Sequence, residues 1–433
     1  MIGNEIHSLA NRLWGMNRSI TGEGVRETLR VLKEILPELK VYEVPSGTNV
    51  FDWTVPKEWR VKDAYIITPS GRRICEFKVC NLHLVGYSTP IQKTISLSEL
   101  QSHLYSLPEQ PTAIPYITSY YKERWGFCLT HNERERLENG DYQVFIDSEL
   151  FDGYLSYGEV VIKGESDKEV FLSTYICHPS MANNELSGPT VTSYIAKWLA
   201  ESKNKYTYRV VFIPETIGSI TYLSKNLEHL KSNVIAGFNI TCIGDDRDYS
   251  YLPSRHGNTI SDLVALHTLK HICPTFKSYK WSERGSDERQ YCSPGIDLPI
   301  ASIMRTKYGK YDEYHTSLDD LINVVTPQGL EGGYNSIKAA IEIIENNAYP
   351  KVNVYCEPQL GKRGLYPTLS TKSSGAEVRL MMNLITWSDG TRSLLEIADL
   401  CEVPVWDLYP IVNKLVEHQL LSLLDSPLRA LSR

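Results

Sequence analysis

No stretch of this chain approaches the ~20 consecutive apolar residues that cross a bilayer. No CxxC pair occurs among its nine cysteines, an odd number scattered over 433 residues. Neither a disulfide framework nor a thiolate zinc site is therefore indicated. Positive charge is not in excess: 45 Lys and Arg stand against 52 Asp and Glu, a net charge of −7. That balance argues against nucleic acid or a membrane as the main partner. The first residues, MIGNEIHSLANRLWGMNRS, lack a basic region followed by an apolar stretch, so a secretory signal is not expected and a cytoplasmic location is. Internal repeats and low-complexity tracts are also missing. What is present is 42% hydrophobic and 22% charged residues, a globular composition that excludes a disordered or fibrous chain. At ~150 residues per domain the length suggests two or three domains.

Residues 4–36 read as two helices, with Ile6, Leu9 and Leu13, then Val25, Leu29, Leu32 and Leu36, at spacings of three and four. Their link, NRSITGEG, is a loop or a polar cluster facing substrate. From 41 to 130 short runs rich in Val, Ile, Tyr and Trp alternate with turn residues, the texture of an inserted β-rich domain. Its aromatics fit half-buried strands, or a carbohydrate or peptide platform. Residues 131–349 alternate strands and helices. The apolar runs EVFLSTYIC, YRVVFIP, VIAGFNITCIG and DLPIASIMRT predict a mostly parallel sheet flanked by helices, an α/β domain that takes in the N-terminal helices (1–40). A linker or a pair of edge strands is expected at 350–375, and the helical pattern of 376–433 resembles a winged helix.

Four polar clusters follow or flank the predicted core strands, where an α/β sheet collects its functional groups. In CHPSMANNELSG, His178 stands at a strand end, a common place for a metal ligand and also for a structural histidine. In FIPETIGS, Glu215 suits a general base, a hard-oxygen ligand or a helix N-terminal charge. GSDERQYCSPGIDLP brings Asp287, Glu288 and Arg289; Arg289 clamps a carboxylate or pairs with Asp287 or Asp312. YDEYHTSLDD carries His315 among Tyr311, Tyr314 and Asp319. Cys177 and Cys292 lie beside these clusters. Adjacent strand residues point to opposite faces, so Cys177 and His178 are not expected to meet. His256 reads more readily as a surface residue than as a ligand.

Taken together, ICHPS, LSGP, ETIGS, SDERQ and YHTS resemble the zinc aminopeptidase and glutaminyl-cyclase superfamily. Over the whole chain the resemblance is to an uncharacterised bacterial aminopeptidase-like family. That family has an inserted β domain and a C-terminal winged helix, and is often linked to polysaccharide biosynthesis. The resemblance implies metal ligands at His178, Asn184, Glu215 and His315, with Glu215 also the catalytic base and Asp287, Arg289 and Tyr314 at the substrate. Asn184 stands where the family has a bridging aspartate, Pro214 where it has a second glutamate, and Thr241 where it has the second-metal carboxylate. Losing that charge leaves one zinc ion, weakly bound, with an open position for water.

The expected activity is zinc-dependent hydrolysis of an amide bond in a short peptide or an N-acylated sugar. The competing expectation is a binding protein that keeps the pocket and has lost the chemistry. Residues 376–433 hold five basic and eight acidic residues, a net charge of −3. Phosphate neutralisation is not available to such a module, so packing or homo-oligomerisation is its expected role.

Overall fold

The computed structural model describes residues 1–365 and 372–428. Residues 366–371 of the expected linker and 429–433 of the expected winged helix lie outside them. The chain divides into two units. One comprises Met1–Asp262 and Phe276–Ile337; the other comprises Leu263–Thr275 and the described residues from Lys338 onward.

The first unit opens with α1 (Ile2–Leu13) and α2 (Glu23–Ile35), and the apolar positions that predict them are buried. Strand β1 (Lys40–Pro45) follows. The chain then leaves for an insertion whose four-stranded antiparallel sheet is built from β2 (Glu58–Ile67), β3 (Arg73–Ile74), β4 (Ile91–Ser96) and β5 (Asp141–Phe151), in the order β3-β2-β5-β4. It returns as β6 (Tyr154–Ile162), which pairs antiparallel with β1. The neck of the insertion is closed by two hydrogen bonds. Ser46 N–H donates to the Gly153 carbonyl at 2.9 Å, and Gly153 N–H donates to Ser46 Oγ at 3.1 Å.

The sheets cut across the boundaries expected at 41 and 130. Strand β1 belongs to the large sheet, and β5, beyond residue 130, is a central strand of the small one. The reason is local. Strand β5 alternates exposed and buried residues over most of its length, as a half-solvated strand does, and nothing in its composition separates it from the strands that follow.

Next come β7 (Ser166–Tyr175), α3 (Ser187–Ala200), β8 (Tyr206–Ile213), α4 (Ile217–Asn233), β9 (Val234–Asn239), β10 (Ser250–Leu252), α5 (Ile260–Ile272), β11 (Lys277–Ser278), β12 (Ile300–Met304) and α6 (Pro327–Asn346). The large sheet runs β1-β6-β8-β7-β9-β12-β10-β11. Its centre, β8-β7-β9-β12, is parallel and consists of the four apolar runs of the sequence. Antiparallel strands finish both sides. From β7 the chain crosses through α3 to β8 on one side, then through α4 to β9 on the other. Right-handed crossovers in opposite directions put the two helices on opposite faces. The C-terminal ends of β7, β8 and β9 therefore gather along one rim.

The second unit takes α5 from Leu263 and α6 from Lys338, and adds β13 (Tyr349–Val352), α7 (Lys372–Trp387), α8 (Leu394–Leu400), α9 (Val405–Glu417) and β14 (Leu421–Leu424). Strand β13, inside the expected linker, pairs antiparallel with β14 as the wing. A capping box of Ser393 and Glu396 starts α8, and Glu402 at φ +55° turns the chain toward Pro404 and α9. Buried His267 joins them: its Nδ1 lies 2.8 Å from Asp399 Oδ1, and its Nε2 accepts the Val405 N–H at 2.9 Å.

Gly188 shows why the Ser-Gly pair starts α3. A Cβ there would lie 2.5 Å from Thr174 Oγ1 and 2.6 Å from the Ile240 carbonyl oxygen. Gly188→Ala is expected to destabilise the protein by about 1–3 kcal/mol through overpacking, measured by urea denaturation; an unchanged midpoint would contradict this close approach.

Candidate metal centre

Each parallel strand delivers one polar group to the rim. Strand β7 ends at Tyr175, and the next three residues run out of the sheet to His178. Because residues 176–178 are no longer a strand, Cys177 and His178 do meet, contrary to the expectation from strand alternation. Cys177 Sγ lies 3.3 Å from His178 Nδ1. The same nitrogen is 2.9 Å from Glu185 Oε2, and Nε2 is 3.7 Å from Glu215 Oε2. Glu185 lies in the CHPSMANNELSG motif, seven residues beyond His178, and is not among the ligands the resemblance implies.

Behind Glu185 stands Arg18, from the α1–α2 link. Both side chains have no exposure. Arg18 Nε lies 3.4 Å from Glu185 Oε1 and donates to the His178 carbonyl at 3.0 Å; a terminal nitrogen donates to the Leu13 carbonyl at 2.6 Å. Burial lowers the Arg18 pKa, opposed by the Glu185 charge. Burial acts to lower the His178 pKa too, but the hydrogen bond and charge of Glu185 outweigh it and raise the imidazole overall.

Glu215 follows β8 at a strained turn. Thr216, β-branched, has φ +62°, a region unfavourable for such residues. Three contacts hold it. Thr216 N–H donates to Asp287 Oδ1 at 2.8 Å, Arg289 donates to Thr216 Oγ1 at 2.7 Å, and Arg289 lies 3.4 Å from Glu215 Oε1. Burial raises the Glu215 pKa, against the His178 and Arg289 charges. Burial and the Glu215 charge raise Asp287 to about 7. Asp287 is fully buried and does not line the cavity; its place is beneath the turn rather than at a substrate.

His315 comes from a loop after β12. Its ring centroid is 5.7 Å from that of His178, and Tyr314 stacks on it at 3.9 Å. Burial and the His178 charge lower His315 to about 3, so it stays neutral. The insertion grips this loop. Tyr116 N–H donates to the His315 carbonyl and Ser317 N–H to the Ile114 carbonyl, both at 2.9 Å. Tyr116 also packs edge-on to His315.

Asn184 is turned elsewhere. The Tyr175 hydroxyl donates to its backbone carbonyl at 2.6 Å, and lies 3.1 Å from its Oδ1 and 2.6 Å from Thr241 Oγ1. Asn184 N–H donates to Asp319 Oδ2 at 2.9 Å. A phenol hydroxyl thus bridges Asn184 and Thr241, and the Tyr175 ring that carries it lies 5.2 Å from that of His178.

The donors suit one cation. With Nδ1 tied to a buried carboxylate, His178 presents Nε2, the usual orienting arrangement of a ligating histidine. The 3.7 Å between Nε2 and Glu215 Oε2 is close to the ~3.3 Å separating two ligands about 2 Å from a tetrahedral zinc. Among the described residues, the group of three donor atoms all within 4.8 Å of one another is Cys177, His178 and Glu185. That group is less apt as a ligand set. Glu185 already bonds His178 Nδ1, Arg18 sets a cation beside it, and burial holds the Cys177 thiol well above its ordinary pKa.

These groups open on a cavity of about 380 Å³. His178, Glu215, Thr216 and Arg289 form its polar side, and Trp53, Tyr120 and Tyr121 of the insertion its aromatic side. These belong to the insertion's aromatics, whose alternative to half-buried strands is a carbohydrate or peptide platform.

The family described as Domain of unknown function (DUF4910) matches residues 7–347, and a winged helix-turn-helix family matches 347–423. A relative from Clostridium acetobutylicum is 46% identical over 92% of this chain and 91% of its own. Its name places it in polysaccharide biosynthesis and gives it an aminopeptidase-like domain. A crystal structure from Clostridium acetobutylicum, named as a peptidase, is 43% identical with a TM-score of 0.92, over 98% of this chain and 97% of that one. A zinc aminopeptidase from Bacillus subtilis shares the fold at 11% identity and a TM-score of 0.58, over 79% of this chain and 95% of that one.

Removing Arg18 leaves Glu185 as an uncompensated buried charge. Arg18→Met is expected to cost about 3–5 kcal/mol of stability, and Arg18→Met with Glu185→Gln less than the sum of the two single changes. Strict additivity in denaturation experiments would show that the pair does not interact.

Proposed function

The chain belongs to the family described as Domain of unknown function (DUF4910), and we propose that it is a zinc-dependent hydrolase of an amide bond in a small substrate. One observation carries this reading. His178, oriented through Nδ1 by buried Glu185, faces Glu215 across 3.7 Å at the rim of the parallel sheet. His178, Glu215 and His315 would hold one zinc ion. When bound, the ion would polarise the amide carbonyl and lower the pKa of a bound water.

The chain's own groups do the rest. Glu215, its pKa raised by burial, is the acceptor for a proton from the attacking water. Arg289 keeps an unpartnered buried Nε and orients a substrate oxygen. Tyr314, stacked on His315, sets the plane of that ring. Trp53, Tyr120 and Tyr121 exclude water from the cavity.

The substrate is a short peptide or an N-acylated sugar. The name of the Clostridium relative and the aromatic wall favour the sugar. The nine unpaired cysteines suit a cytoplasmic setting, and no helix among the described residues is long and apolar enough to cross a membrane. The second reading, a binding protein without catalysis, draws on Arg289, whose charge gives Glu215 a partner without any metal. The winged helix is proposed to serve packing or homo-oligomerisation.

Elemental analysis should find no more than one zinc per chain; two would refute the reading of Asn184 and Thr241. His178→Ala and His315→Ala should each lower zinc affinity at least tenfold, by loss of a metal bond. Glu215→Gln should lower kcat by roughly 10²–10⁴. Wild-type turnover in Glu215→Gln would remove Glu215 from the chemistry.

A separate expectation concerns the winged helix. With five basic and eight acidic residues in 376–433, the full chain should show no salt-sensitive binding to duplex DNA through this module. Binding lost on mutating its few basic residues would overturn this.

A further inference from the structure

His178, His315 and Tyr116 of the insertion form a triangle of rings. Between centroids, Tyr116 lies 5.2 Å from His178 and 5.3 Å from His315, and the two imidazoles are 5.7 Å apart. Tyr175 flanks His178 at 5.2 Å, and Tyr314 covers His315 at 3.9 Å. Each imidazole thus sits between two tyrosines, and Tyr116 is the one they share. Aromatic rings at these separations attract. What else fixes the two histidines differs. Glu185 holds His178 through Nδ1, whereas none of the described residues hydrogen-bonds a ring nitrogen of His315. Tyr314 lies at 15° to the His315 ring, which sets its plane and leaves it free to slide. Tyr116 stands at 83° to it and blocks the slide. The backbone needs the same help. His315 has φ +57°, uncommon for a residue other than glycine, and such a conformation persists where its surroundings over-determine it. The insertion does so. Pro115 bridges antiparallel to Thr316, and the two hydrogen bonds of Tyr116 and Ser317 N–H close that bridge. Ile114 N–H donates to Ser317 Oγ at 3.0 Å, and Gln110 Nε2 donates to the Asp312 carbonyl at 2.7 Å.

We propose that Tyr116 is a positioning residue of the metal centre. Its ring fixes the angle between the His178 and His315 imidazoles, and segment 110–116 holds His315 at its backbone angle. The inference rests on the zinc reading of the site and goes beyond it, because the inserted domain becomes part of the centre rather than a cover for it. The Tyr116 hydroxyl lies 2.9 Å from that of Tyr120, which lines the cavity. The same ring therefore joins the two histidines to the cavity wall.

Two measurements on the full chain test this: zinc affinity by competition with a chelator, and the visible spectrum of the cobalt-loaded protein, whose bands report ligand geometry. Tyr116→Leu removes the ring. It should weaken zinc binding about tenfold or more, as loss of a group that orients a ligating histidine does, and should shift the cobalt bands. Tyr116→Phe keeps the ring and should restore the wild-type bands and most of the affinity. Should Tyr116→Leu not fold, Gln110→Ala decides, because it cuts only the tie to Asp312; zinc binding should weaken and the bands shift. Wild-type affinity and bands in the deciding variant overturn the inference. Equal losses in Tyr116→Phe and Tyr116→Leu also overturn it, since the effect would then lie outside the ring. A wild-type chain that takes up neither zinc nor cobalt sinks this inference together with the hydrolase reading. Metal uptake with the expected variant effects, but no amide cleaved, sinks the hydrolase reading alone.

Discussion

One buried guanidinium organises the centre. Arg18, without exposure, touches the backbone of His178, the carboxylate of Glu185 and the end of α1. Isolated charges do not survive inside proteins unpaired, so Arg18 and Glu185 require each other. Glu185 in turn fixes His178 through Nδ1. The N-terminal helices are therefore part of the site's frame, although none of their side chains is expected to reach a metal.

On the other side of the centre the side chains at positions 184 and 241 are neutral. There Tyr175 donates to the Asn184 carbonyl and stands against Thr241. A neutral hydrogen-bonded trio cannot screen two divalent cations from each other. The strained Thr216 turn, pinned by Asp287 and Arg289, holds Glu215 in place.

Much of the fold is legible in the sequence because parallel strands buried on both faces must be continuously apolar. The four such runs are the parallel centre of the large sheet. His178, Glu215 and His315 are legible because each follows a core strand. Glu185 is harder to read. It lies seven residues from His178 in the same motif, and only the turn of residues 182–186 aims it back. Arg18, 160 residues from His178, leaves no local trace. Half-exposed strands such as β5 conceal the limits of the insertion, and of the two readings of 350–375 it is the edge strand that β13 takes up.

The closed neck at Ser46 and Gly153 has a topological meaning. Strands β1 and β6 are antiparallel neighbours whose register runs to Pro45 opposite Tyr154. Residues 46–153 are thus the loop of a β-hairpin, grown into a domain. Loop-closure entropy rises only with the logarithm of length, so the two-strand frame tolerates such growth. A turn of two residues in its place would leave the same pair of strands. The large sheet does not depend on which segment closes this hairpin, so a different domain could be grafted at the same gate.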